Sequence, residues 1–212
     1  MGDEVLVNLG VEDELSEHLL RVVLRQANRN YLIGSVYGKR GNGYLRRNLA
    51  AFNNAAAGST HLILADLDLT PCPPRLIEEW FECSIAEYRN HCHRNLIFRI
   101  AVREIEAWVI ADRTAFAHFL GINCSLIPLN TEMISDPKLE LLKLVRLSRY
   151  RSIKDDILPR EGDRRHIGPN YNGRLSAFLR DSWQVNRARR HSASLAKLHD
   201  LLNTHHPVIR GN

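Results

Sequence analysis

The sequence predicts an α/β fold in which a parallel sheet is flanked by helices and followed by a mainly helical C-terminal extension. Short apolar runs alternate with amphipathic stretches through the first 120 residues, which is the pattern of β-α-β units. Residues 121–212 hold apolar positions at helical spacing and bring most of the chain's excess positive charge. Residues 1–120 are therefore read as an α/β core and residues 121–212 as a basic, mainly helical extension packed on it.

"EVLVNLGV" (Glu4 to Val11) reads as the first strand, and "DELSEHLLRVVLRQA" (Asp13 to Ala27) as a helix with Leu15, Leu19, Val22 and Val23 on one side. "YLIGSVYG" is a second strand, followed by a Gly-rich turn and a helix over about Leu45 to Ala57. "HLILADLDLT" (His61 to Thr70) opens as a third strand ending in Asp66, and a helix is expected from Pro74 to Tyr88. "NLIFRIAV" (Asn95 to Val102) is a fourth strand, with a helix from about Glu104. In the extension, "KLELLKLVRLS" (Lys138 to Ser148) has a helical period and a helix begins near Leu195, whereas "REGDRRHIGPNYNG" (Arg160 to Gly173) is too rich in Gly, Pro and Asn for a helix.

With 44% hydrophobic and 25% charged residues, the chain has the composition of an ordinary globular protein. No run is long enough to span a bilayer, and the acidic start has no signal-peptide pattern, so a cytoplasmic location without membrane contact is expected. Cys72, Cys83, Cys92 and Cys124 show no paired spacing and read as free thiols of a reducing compartment. His91, Cys92 and His93 are consecutive, and consecutive residues seldom converge on one ion, so they read as a solvated turn.

The net charge of +5 is divided unevenly. Residues 1–120 hold 13 Lys and Arg against 15 Asp and Glu, and residues 121–212 hold 16 against 9. An acidic first part beside a basic second part suits a polyanionic substrate handled at a metal site; a basic solvated helical surface fits the charge equally well.

In parallel sheets functional groups collect at the carboxyl ends of the strands. Here Glu12 and Asp13 follow the first strand, Asp66 and Asp68 end the third, and Glu104 and Glu106 follow the fourth. In an extended strand residues two apart share a face, so Asp66 and Asp68 are expected to project together. Taken singly, each acid could be a helix cap, a turn residue or a solvated side chain. Taken together, acids at three strand ends form a hard oxygen-ligand set suited to Mg²⁺ or Mn²⁺. On a helix Glu106 lies about 200° around from Glu104, so both reach one ion only if the helix starts near Glu106 or Glu104 is still extended. Trp108 reads as core.

"VEDELSEHLL", "ILADLDLTPCPP", "AVREIEAWVIAD", "DPK", "IGPNYNGRLSAFL" and "HSASL" together resemble the DUF4276 family of bacterial Toprim-related proteins over nearly the whole chain. The "DLD" and "REIEAW" blocks are the most specific parts. The resemblance implies a Toprim-like fold whose acids bind divalent metal for phosphodiester chemistry. It makes Glu12 the first Toprim glutamate and Asp66 and Asp68 the DxD pair, with Glu104 and Glu106 from the third block. Toprim sequences usually follow the first glutamate with glycine; here Asp13 follows, and Glu14 is the alternative ligand.

Basic segments supply the expected nucleic-acid contacts. "YGKRGNGYLRRN" is neither a Walker loop nor a GxGxxG, but Lys39, Arg40, Arg46 and Arg47 could meet phosphates there. Lys138 could contact the scissile phosphate, Arg164, Arg165 and His166 could grip a polyanion with His166 as a proton shuttle, and Arg189 and Arg190 form a second cluster. For each, a solvated surface side chain is the plain alternative. Without a GxSxG or a recognisable Ser/His or Cys/His setting, nucleophilic catalysis is set aside. Two readings follow: a Toprim-type nuclease using Mg or Mn to cut DNA or RNA, with phage defence and a partner ATPase implied by the resemblance, or a non-catalytic module binding nucleic acid, nucleotide or an ATPase. A homo-oligomer is compatible with either.

Overall fold

A computed structural model describes residues 4–39, 41–162 and 165–208. Four strands, β1 (Val5–Val11), β2 (Tyr31–Gly38), β3 (Thr60–Asp66) and β4 (Leu96–Ala101), form one sheet in the order β2-β1-β3-β4. Every neighbouring pair is parallel. The carboxyl ends of all four strands therefore lie along one edge. Val11 is in register with Gly38, Gly10 with Ile63, and Asp66 with Ala101.

β3 is buried from Thr60 through Ala65, as expected of a central strand covered on both faces. Its side chains alternate between two cores. Leu62 and Leu64 enter one, with Leu15, Leu19, Trp108, Leu141, Leu175 and Leu198; Ile63 and Ala65 enter the other, with Leu45, Phe52, Leu76 and Trp80. Each fully buried aliphatic side chain contributes about 1.5–3 kcal/mol relative to an exposed one.

On the first face Asp13 caps α1 (Glu14–Arg25), its Oδ1 accepting the Ser16 N–H at 2.8 Å. The opposite face carries α2 (Asn42–Arg47), α3 (Leu49–Ala55), α4 (Pro73–Phe81) and α5 (Ile85–His91). The single helices expected over 45–57 and 74–88 are thus each two. The second break has a clear cause: Glu82 adopts a left-handed conformation at φ 51°, and Ser84 restarts the helix with a capping box to Glu87. After β4 come α6 (Ile105–Ala111), α7 (Arg113–Leu120), α8 (Pro137–Arg146), α9 (Arg151–Ile157), α10 (Tyr171–Asp181), α11 (Val185–Ala188) and α12 (Ala193–Thr204), with short 3₁₀ turns at Cys124–Leu126 and Thr131–Met133. α10 begins at Tyr171, inside the segment expected to be loop. Among the described residues no helix is long and apolar enough to cross a membrane.

An ion pair adds to the shared core where α11 meets the α6–α7 turn. Asp112, 0% exposed between α6 and α7, accepts Arg187 Nη2 at 2.8 Å and the Gln184 N–H at 2.8 Å. Arg187, the first arginine of "RARRHSAS", is thereby committed to the fold. Arg187 is half exposed, and without it Asp112 keeps only the backbone N–H groups of Ala115 and Gln184. Arg187→Ala is expected to cost on the order of 2 kcal/mol in a denaturant melt, with m unchanged.

Candidate functional site

The site is built at the strand ends. Glu12 follows β1 directly, and its Oε1 accepts the backbone N–H of Asp66 at 3.0 Å, joining the ends of β1 and β3. Asp66 is the last residue of β3. Among the described residues no hydrogen-bond donor or cation reaches its carboxylate, which lies between the acids of both neighbouring strand ends. Burial first, then repulsion from Glu12, Glu106, Asp13 and Asp68, holds it well above the usual aspartate range. Glu12 is pushed up to about 7, mainly by burial, against the opposing effect of the Asp66 N–H.

Asp68 reaches the site by a route other than strand alternation. The strand stops at Asp66, Leu67 is buried at 1% exposure, and Asp68 sits in a turn with φ 50°. Arg103, itself at φ 66°, fixes that turn: the Asp68 N–H donates to the Arg103 carbonyl at 2.8 Å, and Arg103 Nη1 donates to the carbonyls of Asp68 at 3.0 Å and Thr70 at 3.2 Å. Aspartate is among the non-glycine residues that tolerate this conformation. Asn42, the first residue of α2, stands beside Asp68 and acts to lower its pKa, which is nevertheless raised, chiefly by burial.

Glu104 and Glu106 differ in what they hold. Glu104 is the N-cap of α6 in an extended conformation (φ −146°, ψ 161°), which satisfies the condition for both acids to face one edge. Its Oε2 accepts the Lys138 backbone N–H at 3.0 Å, and burial and Glu106 raise its pKa. Glu106, 3% exposed, accepts the Tyr171 hydroxyl at 2.9 Å and lies 3.4 Å from Lys138 Nζ. Burial raises Glu106 in spite of both partners. Lys138 is itself partly buried; Glu106 and Glu104 outweigh that burial and hold its ammonium above the usual lysine range, 5.9 Å from the centre of the Tyr171 ring. A lysine in the first turn of α8 runs against the helix dipole, and the two glutamates supply the compensation.

Glu12, Asp66, Asp68, Glu104, Glu106 and Lys138 thus lie along one edge of the sheet. Asn42, Arg103 and Tyr171 complete the arrangement and are not among the expected site residues: Asn42 sits in a Gly-rich turn, Tyr171 in a stretch whose Gly, Pro and Asn content reads as loop, and Arg103 and Tyr171 entered only as members of the "AVREIEAWVIAD" and "IGPNYNGRLSAFL" blocks. Asp13 takes up its capping role. Glu14 is exposed and receives Asn172 Nδ2 at 3.4 Å.

The basic residues are placed differently. Lys39 pairs with Glu17 of α1 at 2.5 Å. Arg189 pairs with Asp200 at 2.6 Å and meets His199 at 2.9 Å. Arg165, His166 and Arg190 are exposed, and Arg40 and Arg164 lie outside the described residues.

No family model matches this chain, and no curated protein matches it. Among solved structures, the C-terminal region of the Burkholderia pseudomallei OLD protein is similar over 92% of this chain and 98% of that one, at 13% identity and a TM-score of 0.40. At that depth the chemistry rests on the side chains themselves.

Among the described residues no three Asp, Glu, His or Cys side chains are grouped closely enough to hold a metal ion between them. The oxygen-only donor set fits a hard cation that takes one or two carboxylates and keeps several waters, as Mg²⁺ does. An acid whose folded pKa is raised favours the fold when protonated. Its contribution is complete below the unfolded value of 4.5 and is lost as pH rises through about 7. Metal-free protein is therefore expected to lose stability from about pH 5 to pH 7, by on the order of 3 kcal/mol from Glu12 alone. Thermal melts in EDTA across that range check this, and Glu12→Gln should flatten the profile.

Proposed function

We propose that this chain is a divalent-metal-dependent phosphodiesterase acting on nucleic acid, a nuclease of the Toprim type. The observation that carries the reading is the pair of half-buried, mutually repelling carboxylates Glu12 and Asp66 at adjacent strand ends, with the exposed Asp68 beside them and a Glu106–Lys138 pair next to them. A protein that gathers acids without compensating donors has a destabilised apo state that a cation relieves. The resemblance to the DUF4276 family noted in the sequence implies metal binding by Glu12, Asp66 and Asp68, with Glu104 and Glu106 from its third block.

In this reading one or two carboxylates from Glu12, Asp66 and Asp68 would hold Mg²⁺ or Mn²⁺ directly, and the remaining acid, Glu106 and Glu104 would meet it through its waters. The ion would supply charge stabilisation on the phosphate and a more acidic bound water. Lys138, kept protonated by Glu106 and Glu104, offers its ammonium to a non-bridging phosphate oxygen. Tyr171 fixes Glu106 so that Lys138 stays directed at the edge. Arg165, His166 and Arg190, with Arg40 and Arg164, supply further phosphate contacts, and His166 a proton shuttle. A setting in phage defence beside an ATPase, in the cytoplasm, belongs to the same proposal.

A second reading, a non-catalytic module binding nucleic acid or an ATPase, is favoured by one observation: Glu104 is engaged by the backbone of α8 rather than left open. The two separate cleanly. The nuclease reading expects Mn²⁺-dependent cleavage of DNA or RNA that falls by at least about 10²-fold in Asp66→Ala while the fold survives. The binding module expects no cleavage and unchanged affinity in that variant. In EDTA, Asp66→Asn should melt higher than wild type. It should also lose the Mn²⁺-induced increase, which for wild type amounts to about 2.7 kcal/mol at a hundredfold excess over Kd. A wild-type melt indifferent to Mg²⁺ and Mn²⁺ removes the metal site.

A further inference from the structure

The face of the sheet opposite the C-terminal extension carries an unassigned trough. Between α3 and the α4–α5 pair lies a cavity of about 570 Å³ walled by Arg46, Arg47, Trp80 and Tyr88. It continues past His91 into a second hollow of about 510 Å³ lined by Arg94 and, from the end of the extension, Val208. Both hollows have the volume of a small-ligand site, and together they form one elongated depression.

The lining has a definite chemistry. Glu82 is its single carboxylate, against Arg46, Arg47 and Arg94. None of these three arginines takes part in an ion pair among the described residues. Arg46 donates only to a neutral acceptor, the Glu79 carbonyl at 3.0 Å, so its charge is uncompensated. The aromatic surface of the trough is that of the partly exposed Phe81 and Tyr88, fixed against each other with ring centroids 4.7 Å apart, while Trp80 behind them is buried in the core against Phe98. Unpaired guanidinium groups beside rigid aromatic rings match the two parts of a nucleic-acid strand, phosphate and base.

The trough also connects to the acids. Asn42 at the start of α2 stands beside Asp68, and Arg46 lies four residues later on the same helix face. At 1.5 Å per residue this is about 6 Å, or roughly two stacked nucleotides at about 3.4 Å per step.

We infer that this trough is the track for a single nucleic-acid strand running from the acidic edge over Arg46 and Arg47 toward Arg94. The inference rests on the nuclease reading for what happens at the acids; the track itself depends only on the trough. A duplex would not reach its aromatic wall, because the bases would be paired and stacked inward, so the occupant is single-stranded.

The test uses the full chain in EDTA and the fluorescence anisotropy of an end-labelled oligo-dT of about 16 nucleotides, the upper end of single-strand site sizes. Arg47→Glu and Arg94→Glu change exposed side chains and should leave the melting temperature unchanged. Lys197→Glu, on the opposite face, matches the charge change. Each trough variant should weaken binding at least about tenfold relative to Lys197→Glu and lower the salt slope by about 0.7 per lost phosphate contact. Hydrolysis of bis-p-nitrophenyl phosphate with Mn²⁺, which needs only the acidic edge, should be the same in all three. Trough variants that bind the strand like Lys197→Glu overturn the track, and if they still hydrolyse the small diester the acidic-site reading stands. Absence of diester and oligonucleotide hydrolysis in wild type overturns the acidic-site reading, while the anisotropy series still decides the track. Equal loss of duplex binding overturns the single-strand assignment.

Discussion

The constraint on which the structure turns is the parallel pairing of β1 and β3. It sets the ends of two strands side by side, so that Glu12 and Asp66 meet at one edge, and the Glu12 carboxylate bonds the Asp66 N–H across the gap. Parallel order forces each connection to cross a face of the sheet, and those crossings are α1 on one side and α2–α3 on the other. The same geometry that buries both faces therefore concentrates negative charge at the edge. Stability and chemistry oppose one another there: repulsion among the acids is tolerated because two cores, one on each face, hold the strand ends in place.

Cations of the fold are used in three distinct ways. Arg187 neutralises a fully buried aspartate and locks the C-terminal helices to α6 and α7. Lys138 is intermediate, tied to glutamates but still in reach of solvent. Arg47 and Arg94 remain uncommitted at the surface of the trough. Charge counted along the chain could not separate these roles, since the separation depends on which carboxylate folding brings near each base.

Strands were legible because a covered parallel strand must be a continuous apolar run, as Leu62 to Ala65 is, and the acids stood out because they interrupt such runs. The arrival of Asp68 was not legible. Strand alternation gives the right neighbourhood for a wrong reason: the turn depends on reciprocal hydrogen bonds with Arg103, far away in sequence. Helix breaks at Asn48 and Glu82 escaped notice because neither glycine nor proline marks them. Tyr171 was hidden for another reason, its neighbours Gly168, Pro169, Asn170 and Asn172 signalling loop although the helix begins at Tyr171 itself.

Tyr171 and Lys138 also give the fold a sense of order in time. The acids at residues 12, 66, 68, 104 and 106 are all made before either partner of Glu106. During synthesis the α/β part can pair its strands, but Glu106 stays without its hydroxyl donor and its ammonium neighbour until α10 has left the ribosome and docked against α1 and α6. The acidic edge is consequently finished last, by the same helices that close the first core, and a chain stopped short of α10 carries the acids without the arrangement that orients them.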